Sequence, residues 1–403
     1  MGKKKQPILQ LPAIAVSKLF TEFFETEKLG GLFLLASTIV SLIIANSSWS
    51  SEYVEFWHQK IDLSVGPVSL NYSIEHWIND GLMTFFFLLV GLEIERELYV
   101  GELSGFKNAV TPIAAAIGGM AIPALIHFIF NNGHLTEDGI GIPMATDIAF
   151  ALGMLSLLGK RVPVSLKIFL TALAIIDDLG AIAVIAIFYS KGISLGFLIA
   201  SAIIFAMLML FQKLKIENLL LYLLPGVILW YCMLKSGVHP TIAGVLLAFA
   251  VPFGKKGDRN PSYRLQLFLH KPVAFFLLPV FALANTALIF ESGWENDLIS
   301  ENSLGIIFGL FIGKPLGIIL FCWLLVKFKW GKLPQNTVWM HLLGTGLLAG
   351  IGFTMSIFIS NLAFSDFELI RNSKFAVLVG SFISGVAGLV ILNLATKHTK
   401  NKS

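Results

Sequence analysis

Charge is scarce in this sequence. Asp, Glu, Lys and Arg make up 13% of its 403 residues, where a soluble domain carries about a quarter. That deficit excludes an ordinary water-soluble globule. Cysteine is nearly absent as well: Cys232 and Cys322 both lie inside apolar runs, which excludes a disulfide framework and leaves packing as their role. The start, MGKKKQ, has Gln6 where a myristoylation signal has Ser or Thr. No short apolar run with a cleavage site precedes the first long one, so no removed signal peptide is expected. No linker, low-complexity tract or shift in composition divides the chain.

What the sequence has instead is apolar length. It is 56% hydrophobic, and the apolar residues recur in segments near 20 residues, long enough to cross a hydrocarbon core of about 30 Å. Such segments must be helical, because lipid offers no partner to an open strand edge. Twelve spans are expected, at 29–47, 77–100, 109–130, 139–158, 164–189, 194–212, 218–234, 237–253, 265–289, 304–326, 340–362 and 372–396. Residues 1–28 form a cytoplasmic segment in which Leu19, Phe20, Phe23 and Phe24 predict an interfacial helix. Residues 29–396 form one polytopic domain, and 397–403 a tail.

The distribution of positive charge supports this topology. With the N-terminus in the cytoplasm, 23 of the 29 Lys and Arg fall on that side, five fall outside (Lys60, Lys191, Lys235, Arg371, Lys374), and Lys314 lies within a span. That is a strong positive-inside bias, with both termini cytoplasmic. Between the first two spans, IDLSVGPVSLN alternates around Gly66-Pro67, a pattern that fits an outer β-hairpin or an irregular loop.

Two spans look interrupted. The fourth carries Pro143 and then Met-Ala-Thr-Asp, and the eleventh reads GTGLLAGIGFTMS. Each is the middle of a three-span block, and the two blocks enter the membrane from opposite sides. Paired broken helices in inverted blocks point to a transporter site, although glycines also serve close helix packing. Two broken helices that cross leave uncompensated dipole ends. Asp147 at the first break can offset the positive ends and Lys314 in GKPLG the negative ones, while a purely structural cap remains the alternative for Asp147.

Carboxylates inside apolar spans are the sharpest signal, since a charged side chain at mid-membrane costs roughly 2.5–3.5 kcal/mol on insertion scales. Asp177 and Asp178 are adjacent, so on a helix they diverge by about 100° and divide their roles. A carboxylate, the Thr146 hydroxyl, backbone carbonyls and water are the oxygen ligands a hard cation such as Na⁺ prefers. A group that binds either H⁺ or Na⁺ couples the two fluxes. A second polar cluster, GLEIEREL, holds Glu93, Glu95, Arg96 and Glu97, which fits a cation-attracting, pH-responsive funnel or a solvated helix end. His239 and His270 lie beside these spans.

Taken together, GLEIEREL, IPMATDIAFALG, LAIIDDLGAIAVIAIFYS, LKSGVHPTIAGV, FALANTAL, IGKPLGI and GIGFTMSIFIS make the chain resemble the NhaA-type bacterial sodium/proton antiporters over nearly its whole length. The resemblance implies an all-α protein of the bacterial inner membrane with twelve transmembrane helices, two of them interrupted and crossed. The inverted-topology repeats come with it, this family being a standing example of that architecture. It further implies electrogenic, pH-dependent expulsion of Na⁺ or Li⁺ in exchange for more than one H⁺. Asp177 and Asp178 become the transport pair, with Asp147 and Lys314 balancing the crossed helices and Lys314 paired with Asp177. Glu93, Arg96, Glu97 and His239 map to the pH response, and the hairpin at 61–70 to a homodimer contact. No cofactor, enzymatic activity or nucleic-acid partner is implied. One departure stands out: well-studied members have an acid followed by His where this chain has Gln266 and Leu267.

Two other classes compete. An intramembrane aspartyl protease also sets two Asp on separate spans, but it needs a facing dyad that shares a proton, and no GxGD stretch occurs here. A pH sensor that does not transport is the other.

Overall fold

A computed structural model describes residues 13–66, 68–190, 192–253 and 260–400. The first twelve residues, Pro67 at the expected hairpin tip and the last three of the expected tail lie outside the described residues.

Helix α1 runs without a break over Ala13–Ala45, so residues 13–28 continue the helix of the first span. A short α2, Ser50–His58, leads to strands β1, Lys60–Asp62, and β2, Asn71–Ser73. The strands pair antiparallel, with Ile61 opposite Tyr72, and a Val65–Val68 bridge continues toward the turn. Gly66 takes φ 57° there, a left-handed conformation that glycine adopts without a Cβ clash. Hydrogen bonds from the Ser64 hydroxyl and then from the Ser64 amide, the latter at 2.9 Å, hold the pKa of the exposed Asp62 carboxylate below the usual value. Tyr72 anchors the strands to the bundle through Lys235, 3.0 Å from its hydroxyl.

The bundle continues with α3 (Ile74–Tyr99), α4 (Phe106–Asn131), a 3₁₀ segment Glu137–Met144 leading to α5 (Ile148–Ser156), and α6 (Val164–Phe188). Next come α7 (Leu195–Lys213), α8 (Leu220–Ser236), α9 (Ile242–Ala250) and α10 (Pro261–Asn285). The chain closes with α11 (Glu301–Lys327), α12 (Trp339–Ala349), α13 (Phe353–Ala363) and α14 (Phe367–Lys400).

Among the described residues, nine helices are long and apolar enough to cross a membrane, and α12 with α13, bent by 46°, adds a tenth. The expected count of twelve is not reached by that measure, and the shortfall lies at the expected seventh and eighth spans. Helix α8 has 17 residues, and Gly237 at φ 83° ends it. Pro240, in the link that follows, has no N–H with which to continue a helix. The nine residues of α9 rise about 14 Å, less than half a hydrocarbon core.

The breaks at the fourth and eleventh spans are present. Ala145–Asp147 is extended between the 3₁₀ segment and α5, and Gly350–Gly352 separates α12 from α13. The broken segments meet at these gaps, where the Asp147 amide donates to the Ile351 carbonyl at 2.7 Å. Helix α6 buries an almost unbroken run from Phe169 to Ile175 and then Asp177 and Asp178. Helix α11 carries a π-turn at Gly309–Gly313 immediately before Lys314, a local widening common at functional sites. Its register against α4 depends on glycine: a Cβ at Gly317 would stand 2.0 Å from the Gly118 carbonyl oxygen.

Candidate ion site at the crossing of the broken helices

Four half-helix ends converge at the crossing, two positive and two negative. The N-termini belong to α5 and α13, and the exposed N–H groups of such ends attract negative charge. Asp147 meets both. Its Oδ1 accepts from the Phe150 amide at 2.9 Å, while Oδ2 accepts from the Thr354 amide at 3.0 Å and the Thr354 hydroxyl at 2.6 Å. One carboxylate thus caps two helices that are far apart in sequence. Ser381, reaching in from α14, accepts from the Gly352 and Phe353 amides at 3.2 Å each.

The negative ends are the carbonyls that close the 3₁₀ segment and α12. The Lys314 ammonium donates to the Met144 carbonyl and lies 2.8 Å from Asp177 Oδ2, with both side chains fully buried. The Thr146 hydroxyl sits 2.8 Å from Asp177 Oδ2 and 2.8 Å from the Ala349 carbonyl. It has one proton for two acceptors, so one of those oxygens is always left to another donor or a cation.

Asp177 and Asp178 divide as adjacent helical residues must. Asp177 Oδ2 is engaged by Lys314 and Thr146, whereas Asp177 Oδ1 and Asp178 Oδ1 are buried without a hydrogen-bond partner. Asp178 is 2% exposed. Two buried carboxylate oxygens on adjacent residues, unmatched by protein donors, suit a bare cation or a proton, because burying an unpaired charge is costly.

The structure brings together Thr146, Asp147, Asp177, Asp178 and Lys314, all five of the residues that the sequence pointed to as ion-binding or charge-balancing. Glu93, Arg96 and Glu97 share the far end of α3. There Glu93 is buried against the Gln266 amide, Glu95 accepts from the Ser262 hydroxyl at 2.8 Å, and Arg96 lies 3.4 Å from Glu97. His239 does not join them. It lies in the link before α9, 2.8 Å from the Thr241 hydroxyl and 3.5 Å from Asp80, and Asp80 precedes Glu93 by about 20 Å of helix. Leu267 is half exposed.

Thr354, Ser381 and Ser356, whose hydroxyl donates to the Ile142 carbonyl at 2.6 Å, were not singled out from the sequence. A signal existed for Thr354, which falls two residues beyond Gly352 in the glycine-rich break.

Comparison with known proteins settles the lineage. The sequence model described as Na+/H+ antiporter 1 matches residues 21–392. The chain belongs to this antiporter family. It is 55% identical to Na(+)/H(+) antiporter NhaA 1 of Flavobacterium johnsoniae over 386 residues, covering 96% of this chain and 99% of the relative. It is also 55% identical over 384 residues to the Na(+)/H(+) antiporter NhaA of Flavobacterium psychrophilum, covering 95% and 98%. Identity to the Na(+)/H(+) antiporter NhaA of Escherichia coli is 48% over 370 residues, covering 91% and 95%. Membership makes the chain a transporter and not an enzyme, which closes the protease alternative.

Proposed function

We propose that the protein exchanges Na⁺ or Li⁺ for H⁺ across the bacterial inner membrane, moving the metal ion outward and protons inward. The observation that carries this reading is the pair of adjacent buried carboxylates, one tethered by Lys314 and Thr146 and the other without a partner at Oδ1. The cation is held by Asp178 and Asp177, with the Thr146 hydroxyl and main-chain carbonyls as further oxygens. Protons compete for the same carboxylates, so loading one species empties the site of the other. The crossed breaks, with Asp147 on the positive ends and Lys314 on a negative one, form the middles of two inverted three-span blocks that expose the site alternately to each side. Twelve membrane-embedded segments, α8 and α9 included, place both termini in the cytoplasm, with residues 29–396 as the transporter body. Glu93, Arg96 and Glu97 form the inner funnel and set its response to pH; His239 contributes from the opposite end of α3.

Competition gives this reading a sharp test. A protonated site cannot take Na⁺, so apparent Na⁺ affinity improves as pH rises, by up to about tenfold per pH unit for each competing proton that is still bound. Exchange of one Na⁺ for more than one H⁺ also moves net charge, so the rate responds to membrane potential at about 2.3 kcal/mol per charge per 100 mV. The measurement is the initial exchange rate in proteoliposomes against Na⁺ concentration, from about pH 6 to 8. An apparent Na⁺ affinity that stays flat over that interval rules out a shared site.

The paired strands extend from the bundle with exposed residues, Val65 being 75% exposed. We infer that the 61–70 hairpin of two copies pairs edge to edge in a homodimer, as open strand edges do. Deleting residues 65–69 is expected to lower the dimer fraction on native gels while exchange per protomer persists. An unchanged dimer fraction removes the hairpin from the contact.

A further inference from the structure

Away from the crossing, one buried lysine has no part in the scheme above. Lys374 on α14 is 6% exposed, and its ammonium lies 3.5 Å from Glu75 Oε1 and 3.4 Å from Asn285 Oδ1. Asn285, 1% exposed at the end of α10, is the hub of a larger cluster. Its Oδ1 also accepts from Asn361 Nδ2 at 2.7 Å, and its Nδ2 donates to Asn79 Oδ1 at 2.8 Å and to the Phe281 carbonyl at 3.0 Å. A cavity of about 40 Å³ adjoins the lysine, lined by Trp57, His58, Glu75, Asn285, Phe367 and Lys374.

The partners come from two groups of helices. Glu75 and Asn79 open α3, and Asn285 ends α10, which packs on α1. Asn361 lies near the end of α13 and Lys374 on α14, and these two helices pack on each other. The cluster therefore stitches the half-helix that starts at the ion site to the helices across from it. Glu75 precedes Glu93 on α3 by about 27 Å at 1.5 Å per residue, so the two mark opposite ends of the molecule. A buried ammonium is tolerated only while it is paired and hydrogen-bonded. A fixed positive charge beside amide oxygens that are already engaged repels a passing Na⁺ and leaves it few ligands.

We propose that Lys374, held between Glu75 and Asn285, is the tethered cation that seals the end of the ion path away from Glu93, and that it must leave Glu75 in every transport cycle. The seal blocks by charge as well as by packing, and opening it separates α13 and α14 from α3 and α10.

This rests on the alternating-access reading, so the experiment reports on each separately. In the full chain with Cys232→Ala and Cys322→Ala, Glu75→Cys and Lys374→Cys are introduced together and joined by a short bis-methanethiosulfonate, which reductant cleaves. Bridging is expected to lower Na⁺-dependent proton movement in vesicles by at least about tenfold, the loss that follows when a conformational step is blocked, and reduction is expected to restore it. Because this pair removes the charges of the seal itself, Ala287→Cys with Phe367→Cys, lining the same cavity, is bridged in parallel and must show the same loss and recovery. Undiminished exchange in fully bridged protein of either pair overturns the seal and leaves transport standing. Absence of exchange in the unsubstituted protein instead sinks the transport reading.

Discussion

Asp178→Asn is expected to abolish Na⁺-driven proton movement in a protein that still inserts and folds. Asp178 Oδ1 is buried without a hydrogen-bond partner, beside Asp177, which Lys314 and Thr146 already hold. Asn has nearly the same shape, and a neutral amide costs less to bury than a carboxylate, so the substitution breaks no described hydrogen bond and relieves a buried charge. Thermal stability in detergent is therefore expected to hold or rise. Chemistry is lost outright, because an amide neither releases a proton near neutral pH nor neutralises a cation. Asp147→Asn makes the contrast: it trades a carboxylate that caps α5 and α13 together for a weaker acceptor, so its main cost falls on the fold. The assay is Na⁺-dependent quenching or recovery of a pH dye in proteoliposomes, with reconstituted protein quantified. Near-normal exchange by Asp178→Asn would remove the residue from the mechanism.

The parts of the site that could be read from sequence are those that break a rule of membrane sequence. Asp147, Asp177, Asp178 and Lys314 stand out because a charge in an apolar span is expensive, and the Gly350–Gly352 break stands out because glycine lowers helix propensity. Thr354, Ser356 and Ser381 break no rule. A hydroxyl in an apolar helix has an ordinary alternative, a bond to the carbonyl four residues back, as Ser360 makes to Ser356 at 2.8 Å. Only three-dimensional packing shows that Ser381 instead accepts the amides of Gly352 and Phe353. The same limit applies to Asn79, Asn285 and Asn361, which are dispersed along the chain and become a cluster only when α3, α10 and α13 meet. The family resemblance groups His239 with Glu93, yet the turn at Gly237 and Pro240 carries it to Asp80 instead. The expected eighth span, 237–253, is helical only over Ile242–Ala250 for a related reason: hydropathy does not register that Gly237 and Pro240 hold the backbone out of a helix.

Lys314→Ala is expected to cost more in stability than in apparent Na⁺ affinity. The ammonium is fully buried, 2.8 Å from Asp177 and bonded to the Met144 carbonyl that ends the 3₁₀ segment. Removing it leaves a buried carboxylate and a helix-end carbonyl without their donor, and breaking one side of such a pair typically costs about 3–5 kcal/mol. Against a total stability on the order of 5–15 kcal/mol, that is a large fraction. Na⁺ affinity is affected less, because Asp178 and the Thr146 hydroxyl remain in place. Asp177 loses its tether and becomes a stronger competitor for protons, so exchange in the variant should fail first at low pH. The double variant Lys314→Met with Asp177→Asn separates pairing from packing. With both charges gone, the buried carboxylate no longer lacks a partner, so the double variant should lose clearly less than the sum of the two single losses. The thermal midpoint in detergent measures the first quantity, and the Na⁺ dependence of initial exchange rates the second. A Lys314→Ala protein that melts where the parent does would show that Lys314 does not hold the crossing together, and its place beside Asp177 would then have to be explained by transport alone.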